Sequence, residues 1–442
     1  MGQAEGFDPA LLEHLIHAQA AEQGADWAGA AHHYNAAVQA APQDHRLHCN
    51  LGNVLWLADL PMAARDAFCR AVELAPEAAL PWRGLGNSER DSLHFGQAAQ
   101  AYRRSLALAD EPLTAWNLSQ VLLGLERYRE AFAVAEQRLT IPELEPYQPC
   151  TGWDGLPSTL HQAQAAGVPL QIWSEQGFGD TLQFLRWLVP LDALLESGGP
   201  APQLVVEPAL AALLQQGLSW LSKPPQVVAK GQEPPRPAAW QPHHIALQSL
   251  PARLGGGQWA DPRQCGDGPW LRLDPNQART TGRVGVLWAA GRKLDDGFTR
   301  REYGKRSLPA RSLGTLMEGL AASGASLVAL QHGDDRELVA SWRPLLAHEL
   351  PAQADFLATA QLLQSLDLVI TVDTAMAHLA GCLGRPTWVL LPWSADPRWL
   401  RQRSDSPWYP SLRLFRQPAS GDWGGAVEAL LTAFRTDIRT PT

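Results

Sequence analysis

The chain has 442 residues, 45% hydrophobic and 18% charged, with 36 Lys and Arg against 45 Asp and Glu for a net charge of −9. At about 100–200 residues per domain the length predicts two to four domains, and the acidic balance excludes a protein that lives on the nucleic-acid backbone while leaving room for a local anion site. With no apolar run of about 18 residues, no leader pattern at Met1–Asp8 and five scattered cysteines (Cys49, Cys69, Cys150, Cys265, Cys382), the chain is expected to be cytoplasmic, unspanned by membrane and free of disulfide or zinc frameworks.

From about residue 11 to 144 the sequence repeats with a period of 34. Ala30, Ala64 and Ala98 share one column, Tyr34, Phe68 and Tyr102 a second, and Ala37, Ala71 and Ser105 a third. Leu51-Gly52 recurs as Leu85-Gly86, and Pro42 and Pro76 close successive units. A small residue belongs where two helices touch, an aromatic fills the space beside it, and Pro stops the second helix. A fourth unit, with Trp116, Tyr128, Glu130 and Ala131, follows a slip of about one residue near Glu111-Pro112. The pattern resembles tetratricopeptide repeats, which implies a helical solenoid over 1–145 whose concave surface binds a peptide or partner protein. The histidines here (His14, His17, His32, His33, His45, His48, His94) follow the helices rather than a metal-ligand set.

Beyond Pro142, short apolar runs alternate with helical stretches, the pattern of α/β units on parallel strands. A first block, 146–268, has strand candidates at Leu170–Ser174, Leu204–Glu207, Gln226–Ala229 and His244–Leu247, with Lys223–Pro242 as a Pro-rich loop. Gly266–Gly282 reads as a linker. A second block, 269–442, has candidates at Arg283–Ala289, Ser326–Leu330, Leu368–Val372 and Thr387–Leu391. Two such halves place a ligand at the carboxyl ends of their strands.

Three stretches carry chemistry. In Trp173-Ser174-Glu175-Gln176-Gly177-Phe178-Gly179-Asp180-Thr181 a strand ends in a Gly-rich turn and a helix is expected to begin at Asp180, which either faces the cleft or caps the helix. In Leu368 to Gly381 a buried strand runs into a small-residue helix. Its free N–H groups at Asp373, Thr374, Ala375 and Met376 suit a diphosphate, and His378 lies on the face of Thr374. Taken singly, Asp373 or Thr374 reads as an N-cap and His378 as a core histidine. Third, a loop from Gly291 to Leu308 carries six cations, Arg292, Lys293, Arg300, Arg301, Lys305 and Arg306, suited to phosphate neutralisation.

These elements in this order resemble the glycosyltransferases of the bacterial heptosyltransferase type and the repeat-fused glycosyltransferases related to the nucleocytoplasmic O-GlcNAc transferase. Further pieces are Asp355-Phe356 with Thr359-Ala360 ahead of Leu366–Ile370, and Ser406-Pro407-Trp408-Tyr409-Pro410 with Arg413–Gln417. The resemblance implies a GT-B fold of two Rossmann-like domains, acceptor side first and nucleotide-sugar side second, with a final helix near Trp423–Arg435 returning to the first. It also implies Asp180 as general base with His378 in the catalytic set. Gly177, Gly179, Lys305, Arg306, Asp373, Thr374, Ala375 and Met376 would then meet the donor diphosphate, with no cofactor or metal. The chain departs from the pattern after Trp288, where it reads Ala289-Ala290-Gly291-Arg292 instead of Ala-Gly-Asn. The expected activity is inverting transfer of a sugar from a nucleotide diphosphate to a protein or peptide held by the repeats. The alternatives are a glycan or lipid-linked acceptor, or a catalytically inactive scaffold.

Overall fold

The structure, a computed structural model, describes residues 9–141, 152–232, 243–274, 281–292 and 294–438; Met1–Asp8, Cys150, Lys293 and much of the Pro-rich stretch lie outside the described residues. Eight helices open the chain: α1 (Pro9–Gln23), α2 (Trp27–Ala40), α3 (His45–Leu57), α4 (Pro61–Leu74), α5 (Ala79–Asp91), α6 (Phe95–Leu108), α7 (Pro112–Gly124) and α8 (Tyr128–Ala135). Each packs on its neighbours in chain order, as expected of tetratricopeptide-like hairpins.

The columns read from the sequence are the packing contacts. Ala30, Ala64 and Ala98 are fully buried, with Tyr34, Phe68 and Tyr102 beside them. The recurring glycines let those rings in: a Cβ on Gly86 would lie 2.5 Å from the Tyr102 ring, and one on Gly52 2.8 Å from Phe68. Gly86→Ala is therefore expected to destabilise the repeats by about 1–3 kcal/mol, the usual cost of overpacking. A lower urea midpoint of the helical signal checks this, and an unchanged midpoint would mean the ring swings away freely. The hairpin turns repeat as well: Ala25, Asp59 and Leu93, spaced by the 34-residue period, adopt left-handed φ of 56°, 60° and 64°, and Glu126 follows with 56°. The last step is one residue shorter, which is the slip read near Glu111-Pro112. In the first hairpin His33 stacks on His17 and lies 3.2 Å from His14, nitrogen to nitrogen. Among the described residues no group of His, Cys, Asp or Glu is arranged to hold a metal.

The chain divides into two compact units, and the first combines the repeats with two later segments, 294–304 and 396–401. In this unit Arg301 forms ion pairs with Asp59 (2.7 Å) and Asp91 (2.8 Å), Phe298 stacks on Trp56, and Arg401 donates to the Leu93 carbonyl (2.9 Å).

The second unit holds both α/β halves, built on two all-parallel sheets. In the first, α9 (Pro157–Ala165), β1 (Gln171–Trp173), α10 (Phe178–Phe184), α11 (Leu188–Asp192), β2 (Gln203–Val206), α12 (Pro208–Gly217), β3 (Gln226–Ala229), β4 (His244–Ala246) and α13 (Leu250–Arg253) give the strand order β3-β2-β1-β4. After β5 (Arg283–Val286) comes α14 (Gly297–Arg306), most of which belongs to the first unit, and the second half continues with α15 (Ala310–Ala322), β6 (Ser326–Ala329), β7 (Leu346–Glu349), α16 (Phe356–Gln364), β8 (Leu368–Val372), α17 (Ala375–Cys382), β9 (Thr387–Leu391), β10 (Leu412–Arg416) and α18 (Trp423–Ile438). Its order is β10-β9-β8-β5-β6-β7. Helical hairpins followed by two parallel sheets form the architecture expected for a repeat region fused to a GT-B fold. The two halves, read as separate domains, belong to one unit because α10 of the first packs directly on α17 of the second.

Two expectations need correction. The cation-rich stretch is not a loop: Gly297–Arg306 forms α14. And α18 packs mainly on α15, β9 and β10 of its own half, with Leu431 against Gly319 and Phe434 against Trp388, where a return to the first half was expected. No helix among the described residues is long and apolar enough to cross a membrane.

Candidate functional site

The second sheet fixes where a ligand sits. The chain runs outward from β5 to β6 and β7, then returns to β8 beside β5 and continues to β9 and β10. The direction reverses between β5 and β8, and a crevice opens outside the carboxyl ends of strands at such a switch point. A cavity of about 480 Å³ lies there. It is lined by Leu287, Ala289, Ala290, Gly291 and Arg292 after β5, by Gln331–Asp335 after β6, and by Thr374, Ala375 and Met376 after β8. Phe178, at the start of α10, and Phe356, at the start of α16, close it with rings 5.0 Å apart in edge contact. Its walls are mostly apolar with a few polar groups among them, as in small-molecule sites generally.

Strand β8, buried along its length, delivers Thr374 to the cavity wall, with Asp373 next to it in the chain but outside the lining. Thr374 caps α17, its hydroxyl oxygen accepting from the Met376 N–H at 3.2 Å and its carbonyl from the Ala377 N–H at 3.0 Å, which leaves the Ala375 N–H at the positive end of the helix dipole. Asp373 is buried, and its main-chain oxygen accepts from Arg306 at 3.4 Å. Arg416, at the end of β10, is held down to a pKa of about 10 by burial, opposed by the nearby Asp373 carboxylate. Cationic character thus gathers on the Asp373 side from Arg306 and Arg416. Arg416 stands in a stretch that the sequence reading quoted without giving it a role; its place beside Asp373 follows from β10 pairing with β9, a strand missed in sequence.

The Gly-rich turn after β1 is reread by the structure. Helix α10 begins at Phe178, two residues before Asp180, with Gly177 as N-cap and the Asp180 carboxylate accepting from the Gly177 N–H at 3.2 Å. Asp180 does cap its helix, and it remains half-exposed. Gly179 is small because α17 lies against it: a Cβ there would sit 2.9 Å from His378 Cδ2 and 3.4 Å from Ala375 Cα. This contact brings Asp180 and His378, 198 residues apart in sequence (378 − 180), onto two helices whose first turns touch. His378 is buried, with Nδ1 2.9 Å from the Tyr409 hydroxyl.

Of the residues expected at the donor diphosphate, Thr374, Ala375 and Met376 line the cavity. Gly177, Gly179, Asp373, Lys305 and Arg306 stand outside its lining, as do Asp180 and His378. The six cations do not act together. Arg301 is committed to Asp59 and Asp91, Arg300 donates to the Leu294 carbonyl, Arg292 lines the cavity 3.5 Å from Asp334, and Lys293 lies outside the described residues. The residues missed in sequence are Gln331 and His332, directly after β6. Gln331 accepts from the main-chain N–H groups of Trp288 (3.1 Å) and Ala289 (2.9 Å), fixing the β5 exit loop. Burial and the neighbouring Arg336 cation lower the His332 pKa, which favours a neutral ring at the cavity wall. The one sequence signal was a buried strand ending in Gln-His-Gly-Asp.

Comparison with known proteins places this site in context. Residues 315–398, which contain β6, β8, α17 and most of the cavity lining, match glycosyltransferase family 9 (heptosyltransferase). The chain is 26% identical over 445 aligned positions to Protein FlbA of Caulobacter vibrioides, covering 90% of this chain and 68% of that one. Among solved structures it is similar to ADP-heptose lps heptosyltransferase II of E. coli, with 12% identity, a TM-score of 0.44, and coverage of 62% of this chain and 100% of that one. It is also similar to MamA, with 19% identity, a TM-score of 0.29, and coverage of 30% and 74%. The chain thus joins a tetratricopeptide-like region to a segment like the family 9 heptosyltransferases.

Proposed function

We propose that the protein is an inverting, metal-independent glycosyltransferase that moves a sugar from a nucleotide diphosphate to a protein or peptide acceptor. The observation that carries this reading is the switch-point cavity, whose lining ends on the capped first turn of α17 within the stretch matching family 9. The apolar part takes the nucleoside. The first turn of α17, through the Ala375 N–H and the positive end of its dipole, with Arg306 and Arg416 on the Asp373 side, takes the diphosphate and stabilises the charge that builds on the leaving nucleotide. These groups supply the positive charge a metal would otherwise provide. Asp180 serves as general base for the acceptor hydroxyl, whose oxygen attacks the anomeric carbon as the bond to the diphosphate breaks.

The acceptor reading rests on the first unit. A groove of about 930 Å³ there is lined by Asn50, Asn53, Asn87 and Asn117 among apolar residues such as Phe68 and Leu80. Carboxamides offer both donors and acceptors, which suits the backbone of an extended peptide. Asn87 accepts from the Tyr102 hydroxyl at 2.8 Å and from Asn117 at 3.4 Å, so its own N–H groups are oriented. Holding the acceptor on the same chain as the donor site raises its effective concentration.

The direct test is thermal stabilisation by ADP, GDP, TDP and UDP and their sugars. One nucleotide at 100 times its dissociation constant is expected to add about 2.7 kcal/mol, and Arg306→Ala to weaken that gain. No stabilisation by any of them at millimolar concentration would overturn the donor assignment. For the acceptor, the Asn87→Ala, Asn117→Ala double substitution is expected to raise KM for a protein acceptor and leave donor hydrolysis unchanged. Equal effects on both would remove the groove from acceptor recognition.

A further inference from the structure

The first sheet has a switch point of its own. Its order, β3-β2-β1-β4, takes the chain outward from β1 to β2 and β3 and then back to β4 on the other side of β1. A crevice is therefore expected at the carboxyl ends of β1 and β4. The two strands end in register, Trp173 beside Ala246. After β1 come Ser174, only 1% exposed, and the half-buried Gln176; shortly after β4 comes Gln248, 5% exposed. The Ser174 hydroxyl oxygen and the Nε2 atoms of both glutamines are buried, and none of the three has a hydrogen-bond partner among the described residues. Buried polar groups in folded proteins are for the most part paired, so three orphans at two adjacent strand ends single this place out.

Gln176 carries a second burden. Its φ is 62°, in the left-handed region that Gly adopts freely and a residue with a Cβ does not. Glycine would fit the turn without strain, so nothing in the turn itself calls for this side chain. Its place in the chain says what could. Gln176 adjoins Gly177, whose N–H donates to the Asp180 carboxylate at 3.2 Å, and Phe178 beyond it lines the donor cavity. In the transfer proposed above, the anomeric carbon lies between the base and the diphosphate, which brings the ring of the transferred sugar to this turn. A carboxamide N–H donates and a hydroxyl both donates and accepts, as sugar hydroxyls require. The three groups carry no charge, and a buried charge needs a charged partner, so they suit an uncharged ring rather than a carboxylate or a phosphate.

We propose that Ser174, Gln176 and Gln248 form the subsite for the hydroxyls of the transferred sugar, and that this sugar is uncharged. The proposal rests on the transferase reading and adds to it the class of sugar.

The test compares the dissociation constants of a nucleoside diphosphate and of its sugar in the full chain, for the wild type, Gln176→Gly and Gln248→Met. Each substitution is expected to weaken binding of the nucleotide sugar by about tenfold, the loss of one hydrogen bond, and to leave the diphosphate unchanged. In the free protein neither is expected to lower the melting temperature, because Gly relieves the left-handed φ and Met replaces an unpaired amide by an apolar group of similar size. Equal weakening of both ligands, or of neither, overturns the subsite. So does a lower melting temperature in both variants, which would show that the carboxamides hold the fold. A nucleotide carrying a uronic acid in place of the neutral sugar is expected to bind the wild type more weakly, and equal binding overturns the assignment to an uncharged ring. If no nucleoside diphosphate or nucleotide sugar binds the wild type, the transferase reading falls and this proposal with it. If the diphosphate binds and neither variant alters the contrast with its sugar, the reading stands and the subsite alone falls.

Discussion

Replacing Asp180 by Asn is expected to lower transfer by about 10²–10⁴-fold, the usual contribution of a positioned general base, while leaving donor binding near normal. The substitution separates chemistry from structure because of what Asp180 already does. Its carboxylate accepts from the Gly177 N–H, and an Asn carboxamide oxygen accepts that bond equally well. Helix α10 therefore keeps its cap, and Gly179 keeps its place against His378. What the variant loses is the capacity to hold a proton at that atom. Asp180→Ala removes the cap as well and is expected to add roughly 1 kcal/mol of destabilisation. The measurement is kcat and donor KM for wild type and both variants, with thermal stabilisation by the nucleoside diphosphate as the binding control. If Asn retains activity and Ala loses it together with stability, the carboxylate is a cap only.

The repeat region was legible because its contacts are local and periodic: the same small and aromatic residues recur where successive helices touch, and even the one-residue slip reappears in the turn at Glu126. The central strands were legible for a related reason. Buried on both faces, β8 and β9 read as unbroken apolar runs, and their bounds agree with the sequence reading. Strands β7 and β10 lie at the sheet edges and escaped notice, since Leu346–Glu349 is half-exposed and polar and Arg413 interrupts Leu412–Arg416. The capped start of α17 could be read because a helix terminus is a local feature. The roles of the flanking residues could not. Gly179 reads as a phosphate-loop glycine until α17 is seen against it, and Trp408-Tyr409 reads as a family signature until Arg186 is found among those rings. The cation stretch misled most. Six positive charges in a row of residues suggest one phosphate site, yet their partners are set by contacts that sequence spacing does not encode.

Arg301→Ala is expected to destabilise the first unit by about 3 kcal/mol, the largest stability effect among these substitutions. Its side chain and that of Asp91 are each only 4% exposed, so the pair is shielded from water and counter-ions. Trp56 completes the site: its indole N–H donates to Asp91 at 2.8 Å and its ring lies 4.9 Å from the Arg301 guanidinium. Removing the arginine leaves a buried carboxylate that retains Trp56 and the adjacent Arg90, whose Nε is 2.9 Å away. Breaking a buried pair typically costs about 3–5 kcal/mol, and these two surviving donors favour the lower end. The second arm behaves differently. Asp59 is 41% exposed, so Asp59→Asn loses a solvent-screened pair worth about 1 kcal/mol or less. Urea unfolding followed by the helical signal gives both values. Equal losses for Arg301→Ala and Asp59→Asn would show that Asp91 is solvated in the free variant and that the arginine is a surface contact. A loss several times larger for Arg301→Ala means that a cation from α14 completes the core of the repeats, so that the segment between β5 and β6 stabilises a fold element more than 200 residues upstream.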